Sequence, residues 1–124
     1  MTPLLVFDGQ CGFCTRAVGW LRLLDRRRLI DTVPYQRSGV PELLGISREQ
    51  CAGSLQWLGA DGSRVEGAAA VNAALAYALA ANWPERLYGR TARTQRRLYQ
   101  WVAEHRHRLP GITPWCVRYP DDCG

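Results

Sequence analysis

Leu4-Leu5-Val6-Phe7-Asp8-Gly9-Gln10-Cys11-Gly12-Phe13-Cys14 is the stretch on which the fold turns. Four apolar residues without alternation stop at Asp8-Gly9, the pattern of a buried strand running into a turn. Phe13, Ala17, Trp20, Leu21 and Leu24 then recur at helical spacing, while Arg16, Arg22, Asp25 and Arg26 take other faces, so an amphipathic helix is predicted over residues 12 to 27. Residues 29 to 35, with Ile30, Val33 and Tyr35, suit a second strand. A strand, a helix and a strand returning beside the first make a right-handed parallel βαβ unit.

Outward from that unit the signals are shorter. Pro41 can open a helical piece through Leu44, and Ser47 stands three residues before Gln50, the spacing of a capping box. Residues 54 to 58 and 63 to 66 flank Asp61-Gly62, which fits a tight antiparallel hairpin whose two central positions both need positive φ. Residues 67 to 82 read as an alanine-rich helix with Val71, Leu75, Tyr77 and Leu79, apolar nearly all round and so expected to be buried. A last helix, from about 91 to 107, is expected to cover it with Leu98, Trp101, Val102 and His105, leaving Arg93, Arg97 and Glu104 to water. From Leu109 the chain reads as a proline-rich loop. The expected fold class is α/β: βαβ followed by ββα in three layers on the thioredoxin-like plan, with an additional C-terminal helix and tail.

A chain of 124 residues with 47% hydrophobic and 22% charged residues reads as one globular domain over residues 1 to 124. All sixteen basic residues are Arg, and the net charge is +5. Seven of them lie between Arg86 and Arg108, a stripe read as a solvated helix face in preference to a nucleic-acid site. The N-terminus lacks a basic n-region and a small-residue cleavage site, so it reads as a strand and a cytoplasmic location is expected. The longest uncharged stretch, residues 67 to 84, is too weakly apolar for a membrane span.

Five cysteines in a reducing compartment direct attention to reactive or metal-binding roles. A C-x-x-C at a strand-to-helix junction of a βαβ unit favours redox chemistry. Cys11 falls at the helix N-terminus, where unpaired N–H groups and the helix dipole favour a thiolate, so it is the expected nucleophile. Cys14, one helical turn on, can close a disulfide with it and is the expected resolving thiol. Asp8 reads either as the acceptor of the Cys14 proton or as a turn residue bonding local N–H groups. Gly9 is assigned to backbone geometry, and Gly9, Gln10, Gly12 and Phe13 are expected to border the substrate. No cofactor is expected. The expected partners are a disulfide-containing protein or a small thiol, and a reductant that recycles the pair.

Asp8-Gly9-Gln10-Cys11-Gly12-Phe13-Cys14 resembles the D-G-x-C-x-x-C signature of the DCC family of thiol-disulfide oxidoreductases, named for an Asp and two Cys that fall here on Asp8, Cys11 and Cys14. Asp61-Gly62, and Tyr99, Trp101, Val102, Ala103 and Arg106, are similar to that family's later segments. The resemblance implies a thioredoxin-like fold and dithiol exchange; in the cytosol the direction would be reduction of protein disulfides. One departure stands out: where thioredoxins place a cis-proline before the third strand, this chain has Cys51-Ala52-Gly53-Ser54. Cys51 reads as a buried small hydrophobe in preference to a partner of the active pair.

Two rival readings start from other features. Zinc bound by Cys11 and Cys14 with Cys116, Cys123 or a histidine (His105 or His107) lacks a second C-x-x-C. The Arg-rich last helix as a polyanion- or protein-binding surface predicts salt-sensitive binding that does not depend on Cys11. Cys116 and Cys123 read as incidental tail thiols rather than a second redox pair.

Overall fold

The computed structural model describes residues 2–124; Met1, part of the N-terminal stretch just discussed, lies outside them. The apolar run forms β1 (Leu4–Phe7), which pairs in parallel with β2 (Asp31–Pro34) and antiparallel with β3 (Gln56–Leu58); β3 pairs antiparallel with β4 (Arg64–Glu66). The mixed sheet has the order β2-β1-β3-β4. Successive strand residues point to opposite faces, so β1 feeds two cores. Leu5 packs with Leu21, Ile30, Trp57, Ala70 and Ala74, whereas Val6 packs with Val33, Val40, Leu44 and Cys51. The first core lies under α1 (Gly12–Leu24) and α4 (Ala68–Leu79), the second under α2 (Val40–Leu44) and α3 (Arg48–Gly53).

The βαβ unit is present, and so is the capping box: the Ser47 hydroxyl accepts from the Gln50 N–H while the Gln50 side chain accepts from the Ser47 N–H. The first helix stops at Leu24, short of residue 27. Asp25, expected on an outer face, is buried, and its carboxylate accepts the N–H groups of Leu29 and Ile30, both at 3.0 Å. The Ile30 N–H would otherwise be buried without a partner, so the carboxylate holds the turn from α1 into β2.

The hairpin is looser than expected. Gly59 N–H bonds the Ser63 carbonyl at 2.8 Å, enclosing a three-residue loop in which Gly62 (φ +87°) has a left-handed conformation and Asp61 does not. A three-residue loop needs only that one such position. The Asp61 carboxylate instead accepts from the Ser63 N–H and hydroxyl.

The helical faces also differ from expectation. In α4 the buried positions are Ala68, Ala70, Asn72, Ala74 and Ala76, while Val71, Tyr77 and Leu79 are each 37% exposed. The small side chains let the helix sit close to its neighbours, pushing the larger ones to the rim. α5 begins well before residue 91, spans Trp83–His105 and bends at Thr91, where the φ of −123° leaves the helical region. Leu98 is 63% and Trp101 51% exposed, so neither covers α4. The inward face carries polar residues with partners: Gln95 accepts from Asn72, and the Tyr99 hydroxyl accepts from the Leu55 N–H. The tail is no simple loop. It holds α6 (Trp115–Arg118) and a 3-10 turn, Pro120–Cys123, closed by a disulfide between Cys116 and Cys123. Among the described residues no helix is long and apolar enough to cross a membrane.

Candidate active site

β1 ends at Phe7, and the next four residues deliver Cys11 to the N-cap of α1 in an extended conformation (φ −100°, ψ 118°). Cys11 thereby takes the place a serine or aspartate usually fills: its sulfur accepts the otherwise unpaired N–H of Cys14 at 3.2 Å. Both sulfurs are free thiols in this structure. A hydrogen bond from the Cys14 thiol, its backbone N–H and the charge of Arg106 pull the Cys11 thiol down from 9.0 to about 6, against the opposing effects of desolvation and Asp8. Cys14 is pushed up, first by its hydrogen bond to Cys11 and then by burial. The pair therefore holds one proton between two sulfurs, with the negative charge on Cys11.

Asp8 is a near neighbour with two kinds of partner. One carboxylate oxygen accepts from the Gln10 N–H at 3.0 Å, the local turn contact, and from the Gln36 amide at 2.8 Å. The other pairs with Arg106 at 3.0 Å. Arg106 also reaches the Cys14 sulfur at 3.6 Å and the Ala52 carbonyl at 3.2 Å, so one guanidinium ties β1, α1 and α3 to the end of α5. No local sequence signal marks Arg106 or Gln36 as functional. Arg106 carried only a family likeness, and its place 92 residues after Cys14 leaves no local pattern to read. Gln36 also accepts from the Gly9 N–H at 3.0 Å, fixing the turn from beneath.

The tail lies along the same turn. Ile112 N–H bonds the Gly12 carbonyl at 3.3 Å and Cys116 N–H bonds the Gly9 carbonyl at 2.8 Å, one on each side of Cys11. Trp115 N–H adds a bond to the Thr15 hydroxyl, which itself donates to the Cys11 carbonyl. A side chain at Gly9 would come within 2.6 Å of the Cys116 sulfur, and one at Gly12 within 2.6 Å of the Ile112 carbonyl, so close packing by the tail explains both glycines. Cys11 is 2% exposed. Of the other residues expected at the substrate, Gln10 is exposed and Phe13 lies edge-on to Trp20.

The tail cysteines, expected to be incidental, are bonded to each other and anchor this segment. Their disulfide removes them as partners for a metal, and no group of three or more metal-ligating side chains comes together among the described residues. Cys51 is buried in the second core, as expected, and its sulfur is pushed up chiefly by burial.

A cavity of about 430 Å³ opens beside the pair, between β1, α1, α4 and α5. Cys14 and Cys51 line it and Cys11 does not; its charged lining residues are Asp8 and Arg106.

No curated protein and no solved structure matches the chain. The profile of one family, described as DCC1-like thiol-disulfide oxidoreductase, matches residues 5–112, from the first core strand to the residue that bonds Gly12. With that match over most of its length, and with Cys11 and Cys14 close together at the head of α1, the chain belongs to the DCC1-like thiol-disulfide oxidoreductase family.

Proposed function

We propose that the protein is a protein-disulfide reductase on a thioredoxin-like frame, with Cys11 as nucleophile and Cys14 as resolving thiol. The observation that carries this reading is the N-cap itself: a cysteine sulfur accepts the Cys14 N–H in the first turn of the helix and holds a thiolate near neutral pH. The parallel βαβ unit followed by an antiparallel hairpin and α4 supports the thioredoxin-like assignment.

In the cycle, the Cys11 thiolate attacks one sulfur of a substrate disulfide, a Cys11–substrate bond forms, and the other substrate sulfur leaves and takes a proton. Cys14 then loses its proton and attacks the Cys11 sulfur, so the second substrate thiol departs and a Cys11–Cys14 disulfide remains. Arg106 supplies the charge that the emerging Cys14 thiolate needs, and Asp8, paired with Arg106, is the proton acceptor. Because Cys11 is covered, the tail has to part from Gly9 and Gly12 before a protein disulfide reaches it.

Trapping tests the roles. Cys14→Ser is expected to accumulate mixed disulfides through Cys11, and Cys11→Ser to accumulate none. Mixed disulfides mapping to Cys51, or no trapping by Cys14→Ser, would overturn the assignment.

A further inference from the structure

The cavity beside the pair has an unusual division of chemistry. Leu5, Val18, Leu21, Leu55, Leu75 and Val102 are among its apolar walls, and the charged groups are confined to Asp8 and Arg106, held together at 3.0 Å next to Cys14. Its volume of about 430 Å³ falls in the range of small-molecule sites. A polypeptide strand is a poor occupant. Leu55, which lines the cavity just before β3, has its N–H bonded to the Tyr99 hydroxyl and its carbonyl to the Gly67 N–H, both at 2.9 Å, so it offers no free backbone group to an incoming strand.

Of the two cysteines only Cys14 lines the cavity; Cys11 is buried between the tail's bonds to Gly9 and Gly12. We propose that the cavity binds a small thiol with an apolar body, which reduces the oxidised Cys11–Cys14 pair by attacking the Cys14 sulfur; this rests on the redox reading above.

The guanidinium of Arg106 attracts the incoming thiolate. The new bond joins its sulfur to Cys14, the Cys11–Cys14 bond breaks, and Cys11 leaves as a thiolate at the helix N-cap. The Cys14 backbone N–H at the N-cap and the charge of Arg106 stabilise the departing Cys11 thiolate, which makes it the better leaving group of the two. A second molecule of the thiol attacks the first one's sulfur, expelling Cys14, which takes up a proton. Two thiols become one disulfide, and two electrons pass to the cysteine pair.

The test uses the full chain, oxidised, with straight-chain thiols from ethanethiol to hexanethiol, whose thiol acidity is nearly constant. The rate constant for reduction is expected to rise about threefold to fourfold per added methylene until the cavity is filled. Val71→Trp and Leu24→Trp, at rim positions already partly exposed, are expected to flatten that rise. Acid quenching during the reaction should place the alkyl group on Cys14. A rate independent of chain length, an equally steep rise in both Trp variants, or an adduct on Cys11 would overturn the proposal. If ethanethiol and dithiothreitol also failed to reduce the pair, the redox reading itself would fall; if they succeeded, only the cavity's role would.

Discussion

Cys11 and Cys14 stand three residues apart where a strand becomes a helix, whereas Cys116 and Cys123 stand seven apart across a four-residue helix and a 3-10 turn. The first pair is free, and one of its sulfurs serves as a helix cap; the second is joined and caps nothing. The family match covers the first pair and ends at residue 112, before the second. What separates them is backbone rather than spacing. A sulfur that replaces a capping oxygen gains a charge-stabilising N–H and becomes reactive, whereas sulfurs on a folded-back tail supply covalent closure.

The largest effect should come from removing the reactive sulfur. Cys11→Ser is expected to lower dithiol-driven reduction of a protein disulfide by about three orders of magnitude or more, while Cys116→Ser with Cys123→Ser leaves the exchange chemistry in place. Turnover of a peptide disulfide measured side by side decides between them. Equal losses in both variants would erase the distinction drawn here.

Next in size is the clasp. A disulfide closing so short a loop contributes about 2 kcal/mol, which corresponds to about a thirtyfold change in how often the tail detaches. Because the tail bonds the backbone on both sides of a nearly unexposed Cys11, the double tail variant should raise the rate of Cys11 alkylation by up to about thirtyfold. An unchanged rate would mean that something other than the tail guards the sulfur.

Acidity gives the third contrast. A lowered pKa means Cys11 is a thiolate above about pH 6 and a thiol below it, so its alkylation should climb through pH 6 and then level off. The unfolded chain ionises this group only near 9.0; the stability gained from it is therefore fully present above that pH and lost as pH falls through about 6. Cys116 and Cys123, joined to each other, have no thiol to titrate. Arg106→Met is expected to raise the Cys11 midpoint by about one unit or less, up to a tenfold loss of thiolate at mildly acid pH. No movement of the midpoint would remove Arg106 from the electrostatics of the pair.

The same contrast explains what the sequence could reveal. The strand, the turn, Cys11 at the cap and Cys14 one turn on all lie within eleven residues, and local periodicity and capping rules suffice to place them. Arg106 reaches the site from the far end of α5, and Gln36 from beyond β2, through tertiary packing that no local pattern records. The inward face of α5 differs from its apolar one for a related reason. Its apolar Leu98 and Trp101 suggested a core, but Gln95, Tyr99 and Arg106 turn inward because each finds a polar partner there. In the tail, prolines hide two short helical turns, and cysteine spacing alone does not give disulfide connectivity.

The smallest effect concerns the second fastening of the tail. The Asp122 carboxylate accepts both Arg37 Nε and Nη2 and the Trp115 indole N–H, and the Arg37 hydrogen bond is the chief cause of its lowered pKa. The ion pair is partly exposed, so it contributes only about 0.2 to 1 kcal/mol and is weakened by salt. Asp122→Asn should therefore speed Cys11 alkylation by up to about fivefold at low ionic strength and by less at high. Asp122 is the immediate neighbour of Cys123, and the disulfide holds it opposite Arg37. Removing the disulfide should thus shrink the effect of Asp122→Asn, giving a double-mutant cycle that is not additive. An additive cycle would show that ion pair and disulfide fasten the tail independently, and the view of the second cysteine pair as the organiser of the tail would fail while the chemistry assigned to the first stood unchanged.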